Sequence, residues 1–128
     1  MRTRRKDTEH QEQKALIQIC DLNALSDPRW GYIFSIPNGG MRHVGVAVKL
    51  KAEGLRPGVP DLFLPVPNDK YHGLFIEMKI KPNKTTAEQL ITIKRLREWG
   101  YCAGVCYSAL QAQEIIRDYL KGAVTRGP

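Results

Sequence analysis

The sequence has little of what marks secreted, membrane-bound or thiolate-metal proteins. Its three cysteines, Cys20, Cys102 and Cys106, form no C-x-x-C pair, so neither a disulfide framework nor a thiolate zinc site is expected. No apolar run approaches the length of a membrane span. The basic start, residues 1–6, is not followed by the apolar segment of a secretory signal. We therefore expect a cytoplasmic protein with no membrane partner.

Acidic side chains are also in short supply relative to basic ones. The 128 residues contain 20 Lys and Arg against 13 Asp and Glu, a formal net charge of +7. Such an excess favours a polyanionic partner, nucleic acid above all. Internal repeats and low-complexity segments are lacking too, which leaves one globular domain over residues 8–121. Residues 1–7 are predicted to be a disordered basic arm, and residues 122–128 a loose tail.

Two apolar segments, residues 58–64 and 73–79, read as neighbouring buried strands that carry charged residues at their ends. Asp61 opens the first strand, and Glu77 and Lys79 close the second. Because side chains alternate along a strand, Glu77 and Lys79 share a face about 7 Å apart, while Met78 points the other way. If the two strands pair as a hairpin, Asp61 lies near Glu77.

Two carboxylates and an amine at one sheet edge suit a hard divalent cation. Magnesium or manganese accepts one or two carboxylates together with substrate phosphate. A neighbouring lysine can orient a water or stabilise charge that develops on a phosphate. The alternative, which the spacing alone leaves open, is a surface salt bridge at the end of a strand.

The same residues stand in a longer series of motifs that resembles the PD-(D/E)xK nucleases, and more closely a stand-alone VRR-NUC domain of phages and bacteria. The resemblance runs from about Thr8 to Leu120. The matching pieces occur in the family's order: Glu12-Gln13, Ile36-Pro37-Asn38-Gly39-Gly40, Lys51-Ala52-Glu53-Gly54, Gly58-Val59-Pro60-Asp61, Gly73-Leu74-Phe75-Ile76-Glu77-Met78-Lys79, Gln89 and Gly100-Tyr101.

The resemblance implies an α/β fold with a central mixed β-sheet flanked by helices, and a Mg²⁺- or Mn²⁺-dependent deoxyribonuclease. It implies that Asp61 and Glu77 hold the metal, helped by the Met78 backbone carbonyl. Lys79 would position the attacking water or help to deprotonate it. Gln89, in the first turn of a helix that begins near Thr85 or Thr86, would pack beside Lys79.

An opening helix from about Thr8 to about Leu25 carries a further candidate. Glu12 lies on the same face as the apolar stripe of that helix, while Glu9 lies further out. The resemblance assigns to Glu12 the helical glutamate that completes the metal shell, directly or through water. A solvated or capping glutamate is the alternative.

DNA contacts are expected in two loops. Residues Asn38, Gly39 and Gly40 form a turn after a strand predicted over residues 31–36, and their bare amides can approach a phosphate. Arg42 follows that turn, and Lys81 and Lys84 lie in a basic loop after the second acidic strand.

The resemblance to stand-alone members further implies a homodimer that cuts four-way (Holliday) junctions, since a two-fold dimer presents two sites to two strands. Two alternatives remain. One is a flap nuclease, exonuclease or restriction-like nuclease on the same fold. The other is a non-enzymatic DNA-binding module in which Asp61, Glu77 and Lys79 form only an ion pair.

Overall fold

The computed structural model describes residues 2–37 and 44–122, with side chains from residue 8 onward, and within them four short strands form one mixed sheet. The elements are, in chain order, α1 (Arg2–Asn23), a 3₁₀ helix (Pro28–Tyr32), β1 (Phe34–Ser35), α2 (Val44–Ala52), β2 (Leu62–Leu64), β3 (Leu74–Met78), α3 (Ala87–Glu98), β4 (Cys102–Cys106) and α4 (Ala109–Leu120). This confirms the expected α/β order of a central sheet between helices. No helix of the described residues is long and apolar enough to cross a bilayer.

The strands lie in sequential order, with β1, β2 and β3 antiparallel and β4 parallel to β3. The predicted hairpin is confirmed, because Leu62 pairs with Ile76 and Leu64 pairs with Leu74. Continuing that register by one residue places Asp61 opposite Glu77. The two acids therefore stand side by side at the end of the hairpin remote from its connecting loop.

The hydrophobic core lies on one face of the sheet, beneath α1 and α4. Alternate strand residues point into it, and α4 contributes residues at helical spacing. Tyr119 is fully buried, and its hydroxyl donates a hydrogen bond to the Val66 carbonyl at 2.6 Å. The buried cluster comprises Leu16, Cys20, Trp30, Leu62, Leu64, Leu74, Ile76, Met78, Cys102, Cys106, Ala109, Ala112, Ile116 and Tyr119.

The opposite face of the sheet is aromatic. Three phenylalanines, Phe34, Phe63 and Phe75, are cross-strand partners on β1, β2 and β3, and we call them the aromatic row. The ring of Tyr101 packs against Phe75 with centroids 5.3 Å apart. Since side chains alternate along a strand, Asp61 and Glu77 point to this same face. The core therefore fixes the strands from below, and the acids stand on the other side.

Two local features differ from expectation, and a third, the start of α3, agrees with it. Helix α1 begins at Arg2 rather than near Thr8, because the basic residues before Thr8 are good helix formers and nothing interrupts them. The strand predicted over residues 31–36 shortens to Phe34–Ser35, because Asp27 caps a 3₁₀ helix with Pro28 in its first turn. The capping box of α3 uses Thr86 and Gln89.

Candidate active site

The chain enters the site through a tight segment before β2. Gly58 has φ of +86°, and a Cβ there would lie 2.7 Å from the Glu88 carbonyl oxygen of α3, so glycine is required on both counts. Pro60 is fully buried and presets the direction of the next residue. Asp61 then accepts a hydrogen bond on Oδ2 from the Met78 amide at 2.9 Å. This contact locks the Asp61 carboxylate across the hairpin, next to Glu77.

Glu77 is the buried charged residue of the site, with a relative exposure of 3%. Its Oε2 accepts a hydrogen bond from Gln89 Nε2 at 3.1 Å and lies 3.9 Å from Lys79 Nζ. Its Oε1 is buried and accepts no hydrogen bond from any described residue. Buried polar atoms of folded proteins nearly always have partners, so this oxygen marks a place where a further group belongs.

The electrostatic setting of Glu77 opposes its ionisation. Burial, and next to it the charge of Asp61, raises the pKa of Glu77 to about 9 from an ordinary 4.5, and Glu9 acts in the same direction. The Lys79 ammonium lowers the pKa of Glu77, but by less than burial and Asp61 raise it. Two carboxylates share one low-dielectric place with too little positive charge between them.

Lys79 follows β3 and lies on the same face as Glu77, as the alternation of side chains predicts. Its backbone amide donates to the Cys106 carbonyl at 2.9 Å, which continues the pairing with β4 beyond the strand. Its side chain is 13% exposed, and the 3.9 Å between Lys79 Nζ and Glu77 Oε2 is longer than a direct hydrogen bond. The ammonium therefore stands at the edge of the acid pair, where it can also contact a bound group.

Gln89 joins the start of α3 to the acid pair. Gln89 Oε1 accepts a hydrogen bond from the Thr86 backbone N–H at 2.8 Å, and the Gln89 backbone N–H donates to Thr86 Oγ1 at 3.1 Å. The two bonds form the capping box. With Oε1 fixed in this way, Nε2 is directed at Glu77 Oε2. The structure thus brings Gln89 to the acid pair, with Glu77 rather than Lys79 as its hydrogen-bond partner.

The helical glutamates of α1 are arranged differently from the expectation. Glu12 Oε1 accepts from the Ala109 amide at 2.8 Å and so caps the N-terminus of α4. Glu9 Oε2 accepts from the Ile80 amide at 3.3 Å and from Asn83 Nδ2 at 3.0 Å, just beyond β3. Glu9, which the sequence suggested lies further out, is the α1 acid whose charge acts on Glu77.

Local sequence patterns do not distinguish Glu9 from Glu12 as the α1 acid nearer to Glu77. Glu9 and Glu12 are three residues apart and share one side of a helix. Had α1 been extended back to Arg2, Glu9 would have stood inside the helix, one turn nearer the loop after β3. Its partner Asn83 lies in the basic loop after β3.

The residues present fit a hard divalent cation. The site has two adjacent carboxylates, and one of them has a buried oxygen that accepts no hydrogen bond from the described residues. Burial and the charge of Asp61 raise the pKa of Glu77, and a bound cation would offset both effects. Within the described ranges, no three His, Cys, Asp or Glu side chains group closely enough to enclose a metal by themselves. Magnesium commonly takes one or two carboxylates and completes its shell with water and substrate phosphate.

The structure describes only some of the residues expected to contact DNA. Asn38, Gly39, Gly40 and Arg42 lie outside the described residues. Lys84 is exposed, and Lys81 Nζ lies 5.4 Å from the centre of the Tyr107 ring, a cation–π distance that leaves the ammonium at the surface.

Comparison with known proteins matches residues 5–110 to the model of the VRR-NUC domain. A solved structure described as a VRR_NUC domain protein is similar, with a TM-score of 0.72 and 28% sequence identity over 88% of each chain. No functionally curated protein matches the chain. The fold described above is therefore the fold of that solved domain.

Proposed function

We propose, from the premise that this chain belongs to the VRR-NUC domain family, that it hydrolyses phosphodiester bonds of DNA at Asp61, Glu77 and Lys79. Membership implies a nuclease-type function in DNA processing. The proposal adds which residues of the protein form the site of hydrolysis and what each side chain does there.

The observation that carries the proposal is the buried acid pair. Asp61 and Glu77 are held side by side by the hairpin register, and Glu77 Oε1 lacks a partner among the described residues. A bound Mg²⁺ or Mn²⁺ would supply a Lewis acid for the phosphate and lower the pKa of a water. Asp61, Glu77 and the Met78 carbonyl are its proposed ligands, and Glu9 is better placed than Glu12 to add a water-mediated contact.

The remaining side chains orient and balance charge. Lys79 Nζ stands at the edge of the pair, where it can hold the attacking water and stabilise negative charge that develops on the phosphate. Gln89 keeps Glu77 Oε2 engaged, which leaves the buried Oε1 as the oxygen proposed to bind the metal. Lys81 and Lys84, with Asn38, Gly39, Gly40 and Arg42, are the proposed contacts to the DNA backbone.

For the substrate we propose branched DNA, in particular a four-way junction cut by a homodimer. Helix α2 favours a dimer, because Val44, Val46 and Val48 are 76%, 46% and 64% exposed and α2 buries none of its residues. Val44 and Val48 share one side, and Val46 faces another, so α2 is apolar around much of its circumference. A short helix of this kind is poorly stabilised alone and gains from an isologous partner.

One assay tests the proposal and separates the alternatives. Purified protein is incubated with labelled duplex, flap and four-way junction DNA in Mg²⁺, Mn²⁺ or EDTA. Metal-dependent cutting that Asp61→Asn abolishes is the expected result. Sequence-specific duplex cutting would favour a restriction-like role, end resection an exonuclease, and tight DNA binding without cutting in either metal would refute the nuclease.

A further inference from the structure

The aromatic row is continuous across three strands. Phe63 stacks on Phe75 with ring centroids 4.2 Å apart and planes inclined by 24°. Phe34 meets Phe63 edge to face at 5.7 Å and 88°. Cross-strand register, rather than chance proximity, sets these contacts, because Phe34 is the direct partner of Phe63 and Phe63 of Phe75.

This row runs beside the acid pair on the same side of the sheet. Phe63 lies two residues after Asp61 on β2, and Phe75 lies two residues before Glu77 on β3. Two residues along a strand span about 7 Å and return to the same face. A phosphate held at the acids would therefore place the sugar and base of a neighbouring nucleotide over the aromatic row.

The row ends at an open ring. Phe34 belongs to β1, the last strand at one edge of the described sheet, and the residue is 48% exposed. A single exposed phenylalanine is ordinary. An exposed ring at the end of an aromatic row that runs beside a site for a charged substrate is different, since every nucleobase offers an apolar face of matching size.

We propose that the aromatic row, and Phe34 in particular, stacks against an unpaired nucleobase next to the phosphate that is cut. The inference rests on the proposed nuclease function and adds the substrate class: DNA with an unstacked nucleotide at the cleavage position, as at a flap base or a junction. Stacking on aromatic rings is insensitive to base identity, so it selects for an available base face and not for sequence. In an uninterrupted duplex that face is covered by its neighbours, and exposing it costs energy.

The test measures binding and needs no cutting. Affinity is measured in EDTA for flap and junction substrates that carry an abasic site at each of the three nucleotides on either side of the branch point. With the natural protein, one position is expected to weaken binding about 5- to 100-fold when its base is removed, the range for one base–aromatic stack. In Phe34→Ala the natural substrate binds that much more weakly, and the same abasic site has less than about a twofold effect.

Two variants control for structure. Phe34→Leu keeps an apolar side chain on β1 without a flat ring, so it reports on stacking even if Phe34→Ala folds poorly. Leu25→Ala removes a side chain that is 85% exposed beyond the far end of α1, and it is expected to match the natural protein. A 2-aminopurine at the sensitive position should lose fluorescence on binding to the natural protein and keep it with Phe34→Leu.

The outcomes separate the inference from the nuclease proposal. Equal affinity for every abasic substrate, or an abasic effect unchanged in Phe34→Ala, overturns the stacking role even if the protein cuts DNA. A change of oligomeric state in Phe34→Leu, seen by light scattering without a change in base dependence, would assign Phe34 to a second copy of the chain instead. Failure to cut any DNA in Mg²⁺ or Mn²⁺ refutes the nuclease, whatever the binding results.

Discussion

Replacing Glu77 by glutamine should stabilise the metal-free protein, and the gain should depend on pH. An unfolded glutamate ionises near 4.5, whereas burial and Asp61 raise the pKa of Glu77 to about 9 in the fold. Between these values the folded protein holds a proton that the unfolded chain has lost, so stability falls as pH rises through this window. Each pH unit in it is worth about 1.36 kcal/mol.

At pH 7.5, three units above 4.5, this loss amounts to about 4 kcal/mol, which is the ceiling for the gain in Glu77→Gln. The introduced amide carries no charge that burial could oppose. It keeps an oxygen to accept from Gln89 Nε2 and adds an N–H that can donate to Asp61. For a chain of this size the ceiling corresponds to an increase in melting temperature on the order of 10 °C.

The assay is urea unfolding in EDTA at intervals from pH 4.5 to 8.5. The two proteins should be nearly equal at pH 4.5, and the variant should gain steadily above it. Glu88→Gln, an exposed acid in the first turn of α3, serves as the control and should change stability by less than about 0.5 kcal/mol at every pH. A variant that is less stable than the natural protein at both ends of the range, or a gain that does not vary with pH, would refute the reasoning.

Three further predictions concern the other parts of the site. Lys79→Ala should lower the cutting rate about 100-fold or more, while Mn²⁺ binding measured by calorimetry changes little. Lys79→Arg should not restore the rate, because a planar guanidinium replaces a compact ammonium. A near-natural rate in Lys79→Ala would make Lys79 only an ion-pair partner. Glu9→Ala should weaken metal binding, whereas Glu12→Ala should mainly reduce stability, by about 1 kcal/mol, because the Ala109 amide at the start of α4 loses its acceptor. The reverse pattern in calorimetry and unfolding would favour Glu12 for the metal role. The double variant Val44→Lys with Val48→Lys should be a monomer by light scattering and should nick a cruciform plasmid on one strand only. Paired cuts by this monomer would exclude a dimer through α2.

The fold and the acid pair could be predicted because their signals are local. Apolar runs that begin after Asp61 or end at Glu77 indicate buried strands, and the short loop between them leaves an antiparallel hairpin as the simple connection. Once the strands pair, the register brings the acids together with no further information. Gln89 is predicted by the family resemblance alone, and its capping box with Thr86 is seen only in the structure.

The choice between Glu9 and Glu12 could not be made locally, because it depends on how α1 crosses β3 and α4. Both acids lie on one side of the helix, a turn apart. Glu12 is taken by the Ala109 amide only because α4 begins opposite it, and the position of α4 is set by the core. The exposure of the α2 valines could not be predicted locally either. A sequence pattern shows that a helix is apolar but not whether the rest of the fold covers it.

The simple alternative, an ion pair that serves only stability, conflicts with the geometry of Glu77. A stabilising pair with Lys79 would lower the pKa of Glu77 and bring the charged atoms to hydrogen-bond distance. Instead the pKa is raised, Lys79 Nζ stays 3.9 Å from Oε2, and the buried Oε1 accepts no hydrogen bond from the described chain. The fold therefore loses stability by keeping Glu77 acidic. This cost to stability fits the proposed role of Glu77, because two carboxylates beside an ammonium suit a divalent cation and the phosphate that comes with it.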